Sequence, residues 1–499
     1  MPVWNFVWRS AYHDSLTLMR LTHDMEAVPG VERAAAMMAT PQNRALLADA
    51  GLLAEGGADT APADLLIAVA AADEAAARGA EAAALAALRP RPAESRPGLP
   101  GATRRRPRTL ASALRALPDA SLALISVPGL YAAAEAMKAL RAGLHVMLFS
   151  DNVPVEAEIE LKRLALSRGL FVMGPDCGTA LIDGVPLGFA NAVPRGRIGI
   201  AAASGTGLQE VSTLVARHGE GISHGIGVGG RDLSDAVGGL MMSRALALLA
   251  EDPATEVICV IGKPPGPAVA ARLTREVERL GKPCVMHFVG SGSGSLEECA
   301  RAAVARARKK GAPATEFTLP ASEVDRLVAD AGRGLGPAPR YVRGVYAGGT
   351  LAWEARAILA AALPDVAPDV TGGAGANRVV DLGEDMFTVG RPHPMIDGTV
   401  RREWIARETA DPGTAVLLLD VILGYGAHPD PAGELIPALE RAREQRRGLA
   451  IVASVVGTET DPQGRAAQVA KLAARGVIVM PSNAQAARLA TRLARATSA

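Results

Sequence analysis

A β-prone run that turns through four small residues into a helix constrains this chain more than any other feature. Ile198 to Ala203 is apolar, Ser204-Gly205-Thr206-Gly207 turns, and from Leu208 the residues Val211, Leu214 and Val215 are spaced to bury one helical face. Just before it, Leu170 to Met173 forms another apolar run, which Gly174-Pro175 stops. One sheet therefore ends as another begins. The turn at 204–207 leaves backbone N–H groups unpaired at a helix start, where the dipole favours an oxyanion and glycine lets one approach closely. Ser-Gly-Thr is equally a common N-cap, and the pattern alone leaves both readings open.

The same rhythm recurs along the chain. Leu122 to Val127 is a strand closed by Pro128-Gly129, with a helix from Tyr131 to Arg141 and a strand from His145 to Phe149. A helix from Glu156 to Arg168 then leads to the strand at Leu170. Strands each followed by a helix imply parallel sheets with right-handed crossovers, whose ligands sit at strand C-termini. Here those ends hold Val127, Pro128, Asn152, Gly174, Pro175 and Asp176, a candidate nucleotide or CoA-like cleft. No Gly-x-Gly-x-x-Gly accompanies them, so a dinucleotide fingerprint is absent. Strands at Val257 to Ile261 and Cys284 to Val289 continue the pattern, and the first ends at Gly262-Lys263, where Lys263 is either a surface lysine or a cation facing the site.

From Arg343 the order strand, small residue, Gly, Thr, helix appears again as Val345-Tyr346-Ala347-Gly348-Gly349-Thr350. This predicts a duplicated fold with two helix starts available to a ligand. The stretch from Val379 to Gly398 reads as irregular and contains Arg391 and His393. A strand from Ala415 to Leu419 runs on to Gly424, Gly426, His428 and Asp430. Histidines in Gly/Pro-rich loops are better candidates than His145 or His287, which fall inside strands, although a loop histidine also serves simply to bond backbone.

These segments give an α/β organisation of several Rossmann- or flavodoxin-like parallel sheets. A small N-terminal α/β domain occupies 1–87, a Pro/Arg linker with Arg104-Arg105-Arg106 occupies 88–109, and a CoA-binding-like Rossmann domain occupies 110–194. A first ligase-like domain follows at 195–311, a linker at 312–338 and a second ligase-like domain at 339–499. Near the start, Tyr12-His13-Asp14-Ser15 precedes a helix and reads as a cap or as a ligand-touching cluster. Five hundred residues less one, 49% of them apolar, hold about three or four domains. A net charge of +1 and 3% aromatics offer neither a phosphate-tracking groove nor stacking platforms, so nucleic acid is not an expected partner. Cys177, Cys259, Cys284 and Cys299 lack any Cys-x-x-Cys spacing, which points to reduced thiols and no metal. No apolar run reaches the 18 or so residues of a membrane span, and a cytoplasmic location is expected.

Ala120 to Asp183, with Val-Pro-Gly-Leu-Tyr, Asp-Asn-Val-Pro and Met-Gly-Pro-Asp-Cys-Gly, resembles the CoA-binding domain of the succinyl-CoA synthetase α subunit. Gly196 to Gly290, with Ala-Ser-Gly-Thr-Gly and Gly-Val-Gly-Gly-Arg-Asp, resembles that subunit's ligase domain. The part from Arg343 onward is similar to the carboxy-terminal domain of the β subunit. There are departures: the loop where the synthetases carry a phosphorylated histidine reads Gly290-Ser291-Gly292-Ser293-Gly294, Lys263 replaces an acidic residue, and no ATP-grasp region precedes the third part. With Tyr12-His13-Asp14-Ser15 and Thr388 to Asp397, the arrangement resembles FdrA-type proteins of purine and ureide catabolism.

That resemblance implies a subunit of an oxamate carbamoyltransferase-type complex, oligomeric and acting with separately encoded partners. Phosphate would be co-substrate, attacking the carbamoyl carbon of oxalurate to give carbamoyl phosphate and oxamate. Ser204, Gly205, Thr206 and Gly207, with Gly348, Gly349, Thr350, Gly424, Gly426 and Asp430, would then bind phosphate and substrate, helped by Lys263. Arg391 would pair with the substrate carboxylate, and His393 or His428 would be the acid or base. Two alternatives stand beside it: an NDP-forming acyl-CoA synthetase component that binds CoA, and a scaffold subunit without chemistry.

Overall fold

The computed structural model describes residues 1–13, 15–88, 107–292, 294–311, 315–334, 341–368, 375–388 and 392–495. Asp14, the arginine triplet at 104–106 and Arg391 lie outside them. The chain divides into two compact units: residues 1–120 with 126–128 and 385–392, and residues 121–125, 129–384 and 393–499.

In the smaller unit β1 (Val3–Trp8), β2 (Val31–Met38) and β3 (Leu65–Ala71) form an antiparallel sheet in the order β1-β3-β2. The central strand, Leu-Leu-Ile-Ala-Val-Ala-Ala, is buried at every residue because both of its faces are covered. Leu18, Leu21 and Met25 of the helix Ser15–Glu26, with Ala77, Ala80 and Ala84 of Glu74–Leu88, pack on one face; Leu47 and Leu52 pack on the other.

The larger unit contains three sheets. β4 (Leu122–Ile125), β5 (His145–Leu148) and β6 (Val172–Met173) are parallel, in that order. The second sheet runs β12-β11-β9-β10-β7-β8. Its parallel heart is β9 (Arg195–Ala202), β10 (Ile222–Gly227), β11 (Val257–Gly262) and β12 (Cys284–Phe288). To this is added the hairpin β7 (Thr179–Ile182) and β8 (Val185–Gly188), whose β7 lies antiparallel to β10. The hairpin turns at Asp183 and Gly184, both at positive φ, as a two-residue turn requires. Residues 179–188, which the sequence groups with the preceding parallel sheet, thus complete the following one. The third sheet, β14-β13-β15-β16-β17, is wholly parallel: β13 (Tyr341–Tyr346), β14 (Arg378–Asp381), β15 (Thr414–Ile422), β16 (Ala450–Val456) and β17 (Ile478–Met480). β14 corrects the expectation of irregular chain after Val379.

One apolar core spans the second and third sheets. Leu208, Val211 and Val215 of the helix Gly205–Arg217 share it with Leu351, Ala355 and Leu359 of Gly349–Ala362 and with Leu489 and Leu493 of Asn483–Arg495. A polar seam crosses this core. Glu354 accepts hydrogen bonds from Leu296 N (2.7 Å) and Asn483 Nδ2 (2.8 Å), and Glu210 accepts one from Asn483 N (3.0 Å). Burial pushes both carboxyls up to about 7. The first and second sheets are joined by the fully buried Lys162, on the helix Val155–Ser167. Its Nζ donates to Glu158 (2.7 Å), to Asp232 (2.7 Å) and to Val228 O (3.0 Å). Asp232 also accepts from Met241 N and Met242 N, which caps the helix Leu240–Glu251.

Candidate functional site

Two helix starts meet between the second and third sheets. Two residues after β9, Ser204 is extended (φ −162°, ψ 119°) and caps the helix Gly205–Arg217, its Oγ accepting from Gly207 N at 2.9 Å. Residue 207 has to be glycine for this cap, since a Cβ there would stand 2.6 Å from the same oxygen. β13 is followed by Ala347-Gly348, and the N–H groups of both donate to Asp420 (2.9 and 2.7 Å). Asp420, on β15 and fully buried, is paired with Arg401 at 3.0 Å, whose Nη2 also donates to Val345 O and Asp420 O. Burial raises the Asp420 carboxyl, while Arg401 and the two turn N–H groups pull it back. This clamp fixes where the Gly349 helix begins. The two starts touch through hydroxyls: Ser204 Oγ and Thr350 Oγ1 are 2.5 Å apart. Thr179 Oγ1 borders Gly205 from the side and donates to Phe189 O at 2.9 Å.

Charged groups ring this junction. Lys263, immediately after β11, holds its Nζ 5.1 Å from the centre of the Trp353 ring, in cation–π range. Asp381, the last residue of β14, accepts from Gly383 N at 2.9 Å through Oδ1, and Oδ2 faces Gly349, 2.5 Å from where a Cβ would be. Burial lifts Asp381 to about 7; the Gly383 N–H and Lys263 oppose that rise, and Glu384 and Asp420 add to it. His393 lies beside the same spot. A Cβ on Gly383 would be 2.9 Å from His393 Nε2 and 3.1 Å from Asp381 Oδ1. The imidazole leans on Phe189 (centroids 5.8 Å apart), and its Nδ1 accepts from Met395 N at 3.2 Å, which places the neutral ring's proton on Nε2. Burial, then the Arg401 charge, push His393 down to about 4, so it is neutral at physiological pH.

His428 donates its backbone N–H to Met395 O (2.8 Å), and its Nδ1 accepts from Asp430 N (3.0 Å) and stands 4.0 Å from Glu434. Asp430 caps the helix Pro431–Gln445 and pairs with Lys471 at 2.7 Å. Gly424 and Gly426 have positive φ and pack against Ala190 and Phe189. In the first sheet, Gly174 approaches the Leu148 carbonyl too closely to tolerate a side chain. Asn152 and Asp176 turn with positive φ at the ends of β5 and β6. Val127 and Pro128 follow β4 and belong to the smaller unit. The structure thus gathers Ser204, Gly205, Gly349, Thr350, Lys263 and His393 around one junction. It adds Thr179, Asp381, Asp420 and Trp353, which sequence reasoning passed over. Asp381 carried one readable signal: it is an acidic residue ending a Val-Val run before Leu-Gly.

Residues 345–493 match the CoA-ligase family, and residues 1–104 match a family described as AllF, heavy metal-associated domain; that N-terminal segment contains no cysteine. The chain is 38% identical over 505 residues to the uncharacterized protein YahF of Escherichia coli strain K12, covering 96% of each. It is 29% identical over 151 residues to the ADP-forming sulfoacetate-CoA ligase subunit SauD of Bilophila wadsworthia, spanning 29% of this chain and 50% of that one. It is 31% identical over 150 residues to the ADP-forming succinate–CoA ligase α subunit of Aquifex aeolicus, spanning 29% of this chain and 48% of that one. Among solved structures, a dinucleotide-forming acetyl-coenzyme A synthetase of Ca. Korarchaeum cryptofilum, in complex with phosphate and ADP, aligns at 18% identity with a TM-score of 0.29. That alignment covers 76% of this chain and 84% of the other. Among the described residues, no helix is long and apolar enough to cross a membrane.

Proposed function

The chain belongs to the NDP-forming acyl-CoA synthetase superfamily, in the same group as YahF, and from that premise we propose that it is one subunit of a multi-chain acid–thiol ligase-type enzyme. Its part is to hold the phosphate- or carboxylate-bearing group of a small substrate between the starts of the Gly205 and Gly349 helices. The contact between Ser204 and Thr350 carries this reading. Two helix dipoles converge there, and because one hydroxyl donates to the other, a single O–H remains to point at an acceptor. Lys263 adds a cation beside it. CoA, which would supply the thiol that takes the acyl group, belongs at the ends of β5 and β6, where Asn152, Gly174, Pro175 and Asp176 form turns.

A second reading is favoured by one observation: the loop after β12, Gly290-Ser291-Gly292-Ser293-Gly294, has no histidine to carry a phosphoryl group. Phosphate would then itself be the nucleophile on an N-carbamoyl substrate such as oxalurate. Its oxygen bonds the carbamoyl carbon, the C–N bond breaks, and the departing oxamate nitrogen takes up a proton. Arg391 would hold the substrate carboxylate, and His393 or His428 would serve the proton or the developing oxyanion.

The chain assembled with its separately encoded partners separates the two readings. Supplied with ATP, CoA and carboxylic acids, the ligase yields a thioester; supplied with phosphate and oxalurate, a carbamoyltransferase yields carbamoyl phosphate. Omitting this chain abolishes the product in either case. In the productive assay, His393→Ala is expected to lower turnover by roughly a hundredfold, the usual effect of removing one hydrogen-bond donor to a developing oxyanion. Unchanged turnover in both His393→Ala and His428→Ala would remove the histidines from the chemistry.

A further inference from the structure

We propose that Asp381 is the proton-carrying group of this anion site, taking up one proton when an oxyanion settles between the two helix starts. The inference rests on the anion-site reading above and concerns what else that site must do.

Asp381 ends β14 at the same level as the start of the Gly349 helix, and its Oδ2 faces Gly349 itself. Oδ1 is held by the Gly383 N–H, whereas no hydrogen bond to Oδ2 is found among the described residues. One carboxylate oxygen is therefore aimed at the place where the helix dipole gathers an anion. Glycine at 349 and 383 keeps that side of the site open, since a side chain at either position would run into the carboxylate. An oxyanion and an ionised Asp381 would be like charges in contact beside buried side chains, where water screens them poorly. The arrangement is relieved when Asp381 is protonated, and its O–H then becomes a donor to the anion it had repelled.

Among the described residues, the surroundings do not supply another partner for that proton. Glu384 and Asp420 are acidic and disfavour a second negative charge; Asp420 is already committed to Arg401 and to two turn N–H groups. Lys263 is the cation whose field reaches Asp381, and it stands over Trp353. His393 holds Nε2 beside Gly383, but its Nδ1 is occupied by the Met395 N–H, and burial, then Arg401, discourage a positive charge on the ring. His393 is thus a fixed hydrogen-bond donor, and Asp381 is the group able to change protonation. Burial already holds Asp381 near 7 without any ligand, so a proton is within reach at neutral pH.

The test is calorimetric titration of the full chain with sulfate, a dianion that does not itself titrate in this range. At pH 6, 7 and 8, each in two buffers of different ionisation heat, the wild type should take up close to one proton per sulfate at pH 8 and little at pH 6. Its affinity should fall toward tenfold per pH unit above about 7. Asp381→Asn, of the same shape and never charged, should bind with an affinity flat in pH, while His393→Ala should keep the wild-type slope. Sulfate binding by the wild type without proton uptake would overturn the role of Asp381 and leave the anion site standing. Failure to bind sulfate at any pH would overturn the anion site, and this inference with it. The two-buffer measurement needs no variant, so a misfolded Asp381→Asn would not rescue the idea.

Discussion

Asp420→Ala is expected to be the most damaging single substitution in the third sheet, costing about 3–5 kcal/mol, the usual result of removing one partner of a buried ion pair. Asp420 is fully buried and meets three demands together: the Arg401 guanidinium and the N–H groups of Ala347 and Gly348. Alanine would leave a buried cation without its counter-charge and two turn N–H groups without an acceptor. Stability of a single domain is itself only about 5–15 kcal/mol, so a loss on this scale should appear as a clear drop in the midpoint of urea or thermal unfolding. Asp420→Asn keeps one acceptor oxygen and should lose less. The consequence reaches the site, because the same carboxylate sets where the Gly349 helix begins. Sulfate binding should therefore be weakened in both variants at temperatures where they remain folded. A midpoint unchanged in Asp420→Ala would mean that the clamp does not hold the turn.

The second large effect is expected at the hydroxyl pair. Hydrogen bonds to a charged group contribute about 1.5–3 kcal/mol, so Ser204→Ala and Thr350→Ala should each weaken sulfate binding roughly tenfold to a hundredfold. Ser204→Ala carries an additional loss of about 1 kcal/mol in stability, because its Oγ also caps the helix through Gly207 N. Thr350→Ala has no such cap to lose. Because the two oxygens bond each other at 2.5 Å, the double variant should fall well short of the sum of the singles. Strict additivity would show that the hydroxyls act at separate places and that the helix starts do not serve one ligand.

Much of the architecture was legible because its strands are continuous apolar runs buried on both faces. Val257 to Ile261 and Leu65 to Val69 are of this kind, and the structure extends them by only a residue or two, to Gly262 and Ala71. The repeated Gly-Thr turn likewise foretold two similar helix starts. It could not foretell that they touch, since that depends on how two sheets share one core. What escaped was short or polar. β14 is four residues long with Arg378 at one end and Asp381 at the other, so it shows no apolar run to recognise, and Asp381 was lost with it. The hairpin at Thr179–Gly188 did carry a signal in Asp183-Gly184, a pair that commonly makes two-residue turns. The family resemblance drew attention to the parallel scheme instead. The histidines illustrate the opposite failure: sequence gave His393 a titration near neutrality, whereas burial and Arg401 take that away.

The lysine buried between the first two sheets has a bearing on how such chains are inherited. Lys162 comes from the helix after β5, yet its charge is answered by Asp232 beyond β10, and β7 and β8 complete a sheet whose other strands all follow residue 194. A recombination event that joined two ancestral genes near that residue would separate the lysine from one of its carboxylates and strip two strands from the sheet they finish. Residues 121 to about 310 therefore form a single heritable block, passed on or lost together; the β13–β17 part has a sheet of its own, but it shares its apolar core with that block and could be split off only if the two pieces came together again as chains.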